Sequence, residues 1–129
     1  HWNETNPGSY GGGNFGGTPF VYCMLNNFGG RMGLHGHMDN IVKGVADAMN
    51  NSGYMEGLGI APEGSQNNPV LYDLLFETVW CNDASQPLEK INTADWLKKY
   101  VRRRYGAESE NAYQAMLILE NTVYKASLK

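Results

Sequence analysis

The sequence predicts an α/β fold: parallel βα units that run on into helices. Three observations carry this. Residues 20–25, "FVYCML", form a continuous apolar run, the pattern of a strand covered on both faces as in parallel sheets. A second strand pattern at 54–61 follows only after a helix with a three- and four-residue apolar repeat, and such a long crossover implies parallel strands and right-handed βα connections. Two strands that both need cover make too small a sheet to stand alone. Further strands are therefore expected upstream, as in a larger βα array such as a barrel.

The chain opens on "HWNETNPGSYGGGNFGG", rich in Gly, Asn and Ser. It lacks the Lys and Ser/Thr that close a phosphate-binding Walker loop, so a surface loop is expected. Its aromatics, Trp2, Tyr10 and Phe15, could alternatively line a sugar site. The first strand ends in Asn26-Asn27-Phe28-Gly29-Gly30, a turn that places two Asn and an aromatic at the strand's C-terminal end. Met38, Ile41, Val42, Val45 and Met49 mark one face of the following helix, stopped by Asn50-Asn51-Ser52-Gly53. The second strand runs into Pro62-Glu63-Gly64, a rigid corner with a carboxylate at its apex. Asn68 then suits an N-cap and Pro69 the first helical position. Val70, Leu71, Leu74, Leu75 and Val79 supply that helix's apolar stripe. Tyr72, Phe76 and Trp80 recur at helical spacing and are read as packing.

Residues 82–92 are polar, contain Pro87 and read as a linker. Two helices follow. Thr93 is expected to cap the first, with Trp96, Leu97, Tyr100 and Val101 inward and Gly106 as its stop. Ser109 is expected to cap the second, with Ala112, Met116, Leu119 and Val123 inward.

Composition narrows the function classes. The chain has 129 residues, enough for one domain with a core, and a net charge of -3 that gives no reason to expect nucleic acid. Lys98, Lys99 and Arg102-Arg103-Arg104 read as a solvated helix face. No run approaches the roughly 18 apolar residues of a membrane span. His1 in place of Met, without a signal-peptide pattern, is expected for a chain whose leader was removed or that belongs to something longer. Cys23 and Cys81 are expected as buried or half-buried thiols rather than a disulfide, and no Cys/His spacing suggests zinc. His35-Gly36-His37 opens a helix, where alternate residues diverge, so no metal site and no cofactor is expected.

The candidate chemistry lies where the strands end. In βα barrels functional residues sit at the C-terminal ends of strands, and Glu63 stands at such an end, before a helix start whose field favours the ionised form. Spacing alone leaves Glu63 equally consistent with a solvated turn residue. Glu56 could face either way; Asp39, Asp47, Asp73 and Glu77 fall on polar helix faces.

Three blocks in order, "YCMLNNFGGRMGLHG", "MEGLGIAPEGSQNNPVLYDLLFETVW" and "WLKKYVRRRYG", resemble the α-N-acetylglucosaminidases, family 89 of the glycoside hydrolases. The resemblance covers nearly the whole chain and is weakest over 1–18. It implies a fragment of a (β/α)8-type barrel, two late βα units at 1–83, followed at 84–129 by the first helices of a C-terminal helical domain. It implies a retaining glycosidase that releases terminal α-linked N-acetylglucosamine from glycans through a pair of glutamates. The family's nucleophile, the Glu of "APEG", falls on Glu63. Leu25, Asn27 and Phe28 match positions that border the sugar pocket. The family's acid/base Glu lies upstream of the "YCML" block, outside this chain, and Glu4 does not match its setting. Aromatics that the family's helical domain supplies from near its C-terminus are also missing. The expected partners are thus the glycan and the rest of an exported parent protein, and the isolated chain is expected to be inactive. The alternatives are a non-catalytic carbohydrate-binding or structural domain and a small self-contained α/β domain.

Overall fold

The computed structural model describes residues 14–25, 36–62, 67–80 and 91–126. Strand β1 (Phe20–Met24) and strand β2 (Met55–Ile60) pair in parallel. Helix α1 (Met38–Ser52) connects them and α2 (Pro69–Trp80) follows β2; α3 (Thr93–Tyr105) and α4 (Glu110–Asn121) complete the described chain. The parallel pair requires α1 to run back along the sheet, so the first turn of α1 lies at the end where both strands stop.

The register passes from Phe20 opposite Met55 directly to Val21 opposite Gly57. Glu56 is left as the extra residue of a bulge, and it is exposed. One face of β1 carries Tyr22 and Met24, both buried in the core with residues of α1, α2 and α3. The other face carries Val21, 54% exposed, and half-buried Cys23, opposite Gly57 and Gly59. The expected cover on both faces is therefore half met: the helices of this chain bury Tyr22 and Met24 and leave Val21 open.

Helix α1 buries Met38, Ile41, Val42, Val45 and Ala48, with Met49 packed against the cluster, so its predicted stripe holds. It stops at Gly53, whose φ of 60° is open to a residue without a Cβ. Helix α2 begins at Pro69 as predicted and buries Val70, Leu71, Tyr72, Leu74, Leu75 and Thr78. The aromatic reading is corrected there. Only Tyr72 is buried; Phe76 is 39% and Trp80 84% exposed. Their common spacing sets them on a stripe that the described residues do not cover.

Helix α3 buries the predicted Trp96, Leu97, Tyr100 and Val101. Its N-cap is Asn92, not Thr93: the Asn92 side chain accepts from the Asp95 amide at 3.0 Å. Thr93 is the first helical residue, and its hydroxyl bonds Asp39 of α1 at 3.1 Å. Gly106 ends the helix with a left-handed φ of 72° and an amide bonded to the Arg102 carbonyl. Helix α4 is capped by Ser109 as predicted. Its burial is looser: Ala112, Met116 and Leu119 are half-buried, Ile118 is exposed, and Val123 falls beyond the helix end and is exposed.

Residues from both halves of the chain share one core, in which Tyr22, Met38 and Leu71 join Trp96, Leu97, Tyr100 and Tyr124. Polar contacts follow the same seam. Arg103 of α3 donates to both oxygens of Glu77 on α2, at 3.2 and 2.7 Å, and lies 5.8 Å above the Trp96 ring. Partial burial pushes the Glu77 carboxyl up, but the hydrogen bonds and charge of Arg103 outweigh it and hold the group below its usual range. Lys98, Lys99, Arg102 and Arg104 are exposed, as a solvated face requires.

Candidate active site

The two strands end side by side. The Ala61 amide donates to the Met24 carbonyl at 3.0 Å, continuing the ladder one step past β2. Parallel pairing then delivers Leu25 and Pro62 to the same end of the sheet. Leu25 is half-buried and lies directly beyond β1. Glu63, Asn27 and Phe28 lie outside the described residues, as does His35 of the His-Gly-His stretch. Their sequence neighbours fix only where the chain leaves the two strands.

The exit from the corner is anchored on α2. Asn67 accepts from the Tyr72 hydroxyl at 2.9 Å, and the Asn68 carbonyl takes the Leu71 amide at 3.1 Å. The sequence signals Asn68 and Pro69, but not the Asn67–Tyr72 bond, because Tyr72 reads simply as an aromatic on a helix.

The return from β1 is anchored differently. Gly36 is buried against Leu71, and a Cβ there would lie 2.1 Å from Leu71 Cδ1. The amides of Gly36 and His37 both donate to the Tyr124 carbonyl, at 3.0 and 2.9 Å. A backbone acceptor leaves no mark in the sequence, so this contact has no sequence signal. His37 forms the N-cap of α1 with φ 24°, ψ 75°, and its side chain makes no capping bond.

Phe15 belongs to the opposite end. Its ring lies 4.6 Å from that of Phe20, at the start of β1, so it does not line a site at the strand C-termini. Trp2 and Tyr10 lie outside the described residues. A hollow of about 250 Å³ is lined by Asp39, Asn40, Val42, Lys43 and Ile91, and one of about 270 Å³ lies between α3 and α4; neither is lined by a strand-end residue. Among the described residues no three His, Cys, Asp or Glu side chains converge as metal ligands would, and no helix is long and apolar enough to cross a membrane.

The chain is similar to known proteins along nearly its whole length. Residues 1–82 match the family model described as the α-N-acetylglucosaminidase TIM-barrel domain, and residues 96–129 match the model of the C-terminal domain of the same enzymes. The human α-N-acetylglucosaminidase is 39% identical over 115 residues, which cover 88% of this chain and 15% of the human protein. A family 89 glycoside hydrolase from Clostridium perfringens, solved with PUGNAc, superposes with a TM-score of 0.73 at 35% identity, over 88% of this chain and 12% of that one. The same bacterium's enzyme with two Glu→Gln substitutions, solved with its substrate GlcNAc-α-1,4-galactose, gives a TM-score of 0.73 at 34% identity, over 86% of this chain and 12% of that one.

Proposed function

Because the chain belongs to the α-N-acetylglucosaminidases, family 89 of the glycoside hydrolases, we propose that it forms part of a longer retaining glycosidase, with Glu63 as the nucleophile. The observation that carries this is the position of the family's "APEG" motif, which sets Glu63 one residue beyond Pro62 at the end of β2. Residues 1–83 then contribute two late βα units to a (β/α)8-type barrel, and residues 84–129 begin the helical C-terminal domain. The open face of β1 at Val21 supports cover by further parts of the parent enzyme.

The chemistry needs two carboxyl groups roughly 5 Å apart. The Glu63 carboxylate attacks the anomeric carbon of a terminal α-linked N-acetylglucosamine. The bond to the leaving oxygen breaks as the second carboxyl group, supplied from an upstream strand of the parent enzyme, gives that oxygen a proton. The same group then takes a proton from water, which displaces Glu63 and releases the sugar. A relative with two Glu→Gln substitutions was solved with its substrate, which supports a pair of glutamates. Leu25, Asn27 and Phe28, at the end of the neighbouring strand, border the sugar in this reading.

A nucleophile must be held within fractions of an ångström of the anomeric carbon. The described residues on either side of the corner support such a role: the Ala61 amide is bonded to the Met24 carbonyl before Pro62, and Asn67 is held by Tyr72. The test is the parent enzyme on a chromogenic α-N-acetylglucosaminide beside its Glu63→Ala variant, with and without azide. Turnover should fall by about four orders of magnitude or more, and azide should restore part of it as a glycosyl azide of inverted configuration. Undiminished turnover in the variant would return Glu63 to a turn residue.

A further inference from the structure

Four independent contacts meet at the first turn of α1, and all but one come from the helical segment. The Tyr124 carbonyl takes the amides of Gly36 and His37. Lys125 lies 3.7 Å from Asp39 and 3.0 Å from Glu120, a carboxylate only 5% exposed. Thr93, at the start of α3, bonds the same Asp39. Leu71, in the first turn of α2, is packed under Gly36.

The backbone at this point requires outside support. His37 holds a φ of 24°, a region that a residue with a Cβ occupies only where its surroundings over-determine it. Its own side chain gives α1 no cap. The two amides just ahead of the helix, those of Gly36 and His37, are held by the turn that follows α4, where Tyr124 is buried and its amide is bonded back to the Leu119 carbonyl at 2.9 Å. Tyr124 and Lys125 thus sit at the end of the sheet where β1 and β2 stop. Ten residues separate Leu25 at the end of β1 from Gly36, and α2 starts from the far side of the corner. One turn of the helical segment holds the backbone of Gly36 and His37, and Gly36 in turn packs on Leu71 of the helix that follows the corner.

We propose that Tyr124 and Lys125 form a clamp through which the helical segment positions the sugar-binding end of the barrel segment, Lys125 acting as a positioning residue through Asp39. The proposal rests on the glycosidase reading. The charged pair on Glu120 orients the ammonium, and that hydrogen bond holds Lys125 above the usual lysine range.

The test uses the parent enzyme. Lys125→Met should raise KM on a chromogenic α-N-acetylglucosaminide about threefold to tenfold with kcat of the folded enzyme little changed. Lys125→Arg should restore it. Hydrogen exchange in the peptide that contains Gly36 and His37 should quicken about tenfold. Lys125→Met also strands the buried Glu120 charge, so Asp39→Ala serves as a second variant that cuts the link from the α1 side. A lower melting temperature with native KM, or unaltered protection of the Gly36 and His37 amides in both variants, overturns the proposal. A native enzyme without turnover sinks the glycosidase reading and the kinetic half with it; the exchange measurement then decides the clamp by itself.

Discussion

Substituting Gly36 by Ala tests the packing at the start of α1 most directly. The added Cβ would lie 2.1 Å from Leu71 Cδ1, 3.0 Å from Cδ2 and 3.1 Å from Cγ. All three carbons belong to one side chain, and a rotation at its χ1 that carries them away would drive them into other core side chains. Leu71 has 0% exposure and sits in the core cluster, so it has no solvent to move into. Overpacking of this kind costs about 1–3 kcal/mol. Leu71→Ala alone removes a fully buried side chain and should cost about 2–5 kcal/mol. In the double variant the methyl added by Gly36→Ala occupies space that Leu71 vacates. The double change should then cost less than the sum of the two by about 1 kcal/mol or more. Urea unfolding of the parent enzyme, followed by fluorescence and circular dichroism with midpoint and slope both reported, reads all four corners of the cycle. A neutral Gly36→Ala, or single costs that add to within about 0.5 kcal/mol, would refute the contact as described.

Two further outcomes follow from the seam between the halves. Trp96→Ala should cost about 3–5 kcal/mol, because the indole is buried, stacks on Tyr100 at 5.2 Å and lies under Arg103; Trp96→Phe should cost distinctly less in the same unfolding assay. Glu77→Gln should cost only about 0.2–1 kcal/mol, since Arg103 is half exposed and solvent screens the pair. The Glu77 carboxyl is held below its ordinary value, so its contribution is present above that value and fades as pH falls through the folded one. Unfolding midpoints of native protein and Glu77→Gln should therefore converge below about pH 4; a gap that stays constant into acid would show that Arg103 does not lower the group.

The sequence reads best where side-chain periodicity and stop residues coincide. The stripe of α3, its Gly106 end, the Pro69 start of α2 and the parallel order of the strands all follow from such signals. The resemblance to family 89 through three long blocks holds as well. Reading is weaker where one residue does a job that its neighbour could do: Asn92 caps α3 and Thr93 turns to Asp39. It fails where burial depends on what lies beyond the described residues. The run 20–25 is apolar on both faces, but the described residues cover only the Tyr22 and Met24 side. Trp80 keeps helical spacing with Tyr72 and still stands open. Of the candidate site, Leu25 falls at the strand end as expected, and Glu63, Asn27 and Phe28 rest on the family motif. The Tyr124 contact is made by a peptide carbonyl, which every residue possesses, so no residue type announces it.

That contact also orders events during synthesis. Tyr124 leaves the ribosome long after Gly36, Met38 and Leu71 do. At roughly 5–20 residues per second, the start of α1 spends several seconds without its acceptor and without Trp96 and Leu97 over the core. During that interval the nascent barrel segment presents a bare apolar surface to chaperones and proteases. A premature stop anywhere between α3 and Tyr124 would leave the start of α1 without its acceptor for good, so a lesion in the helical segment would be registered in the first half of the chain.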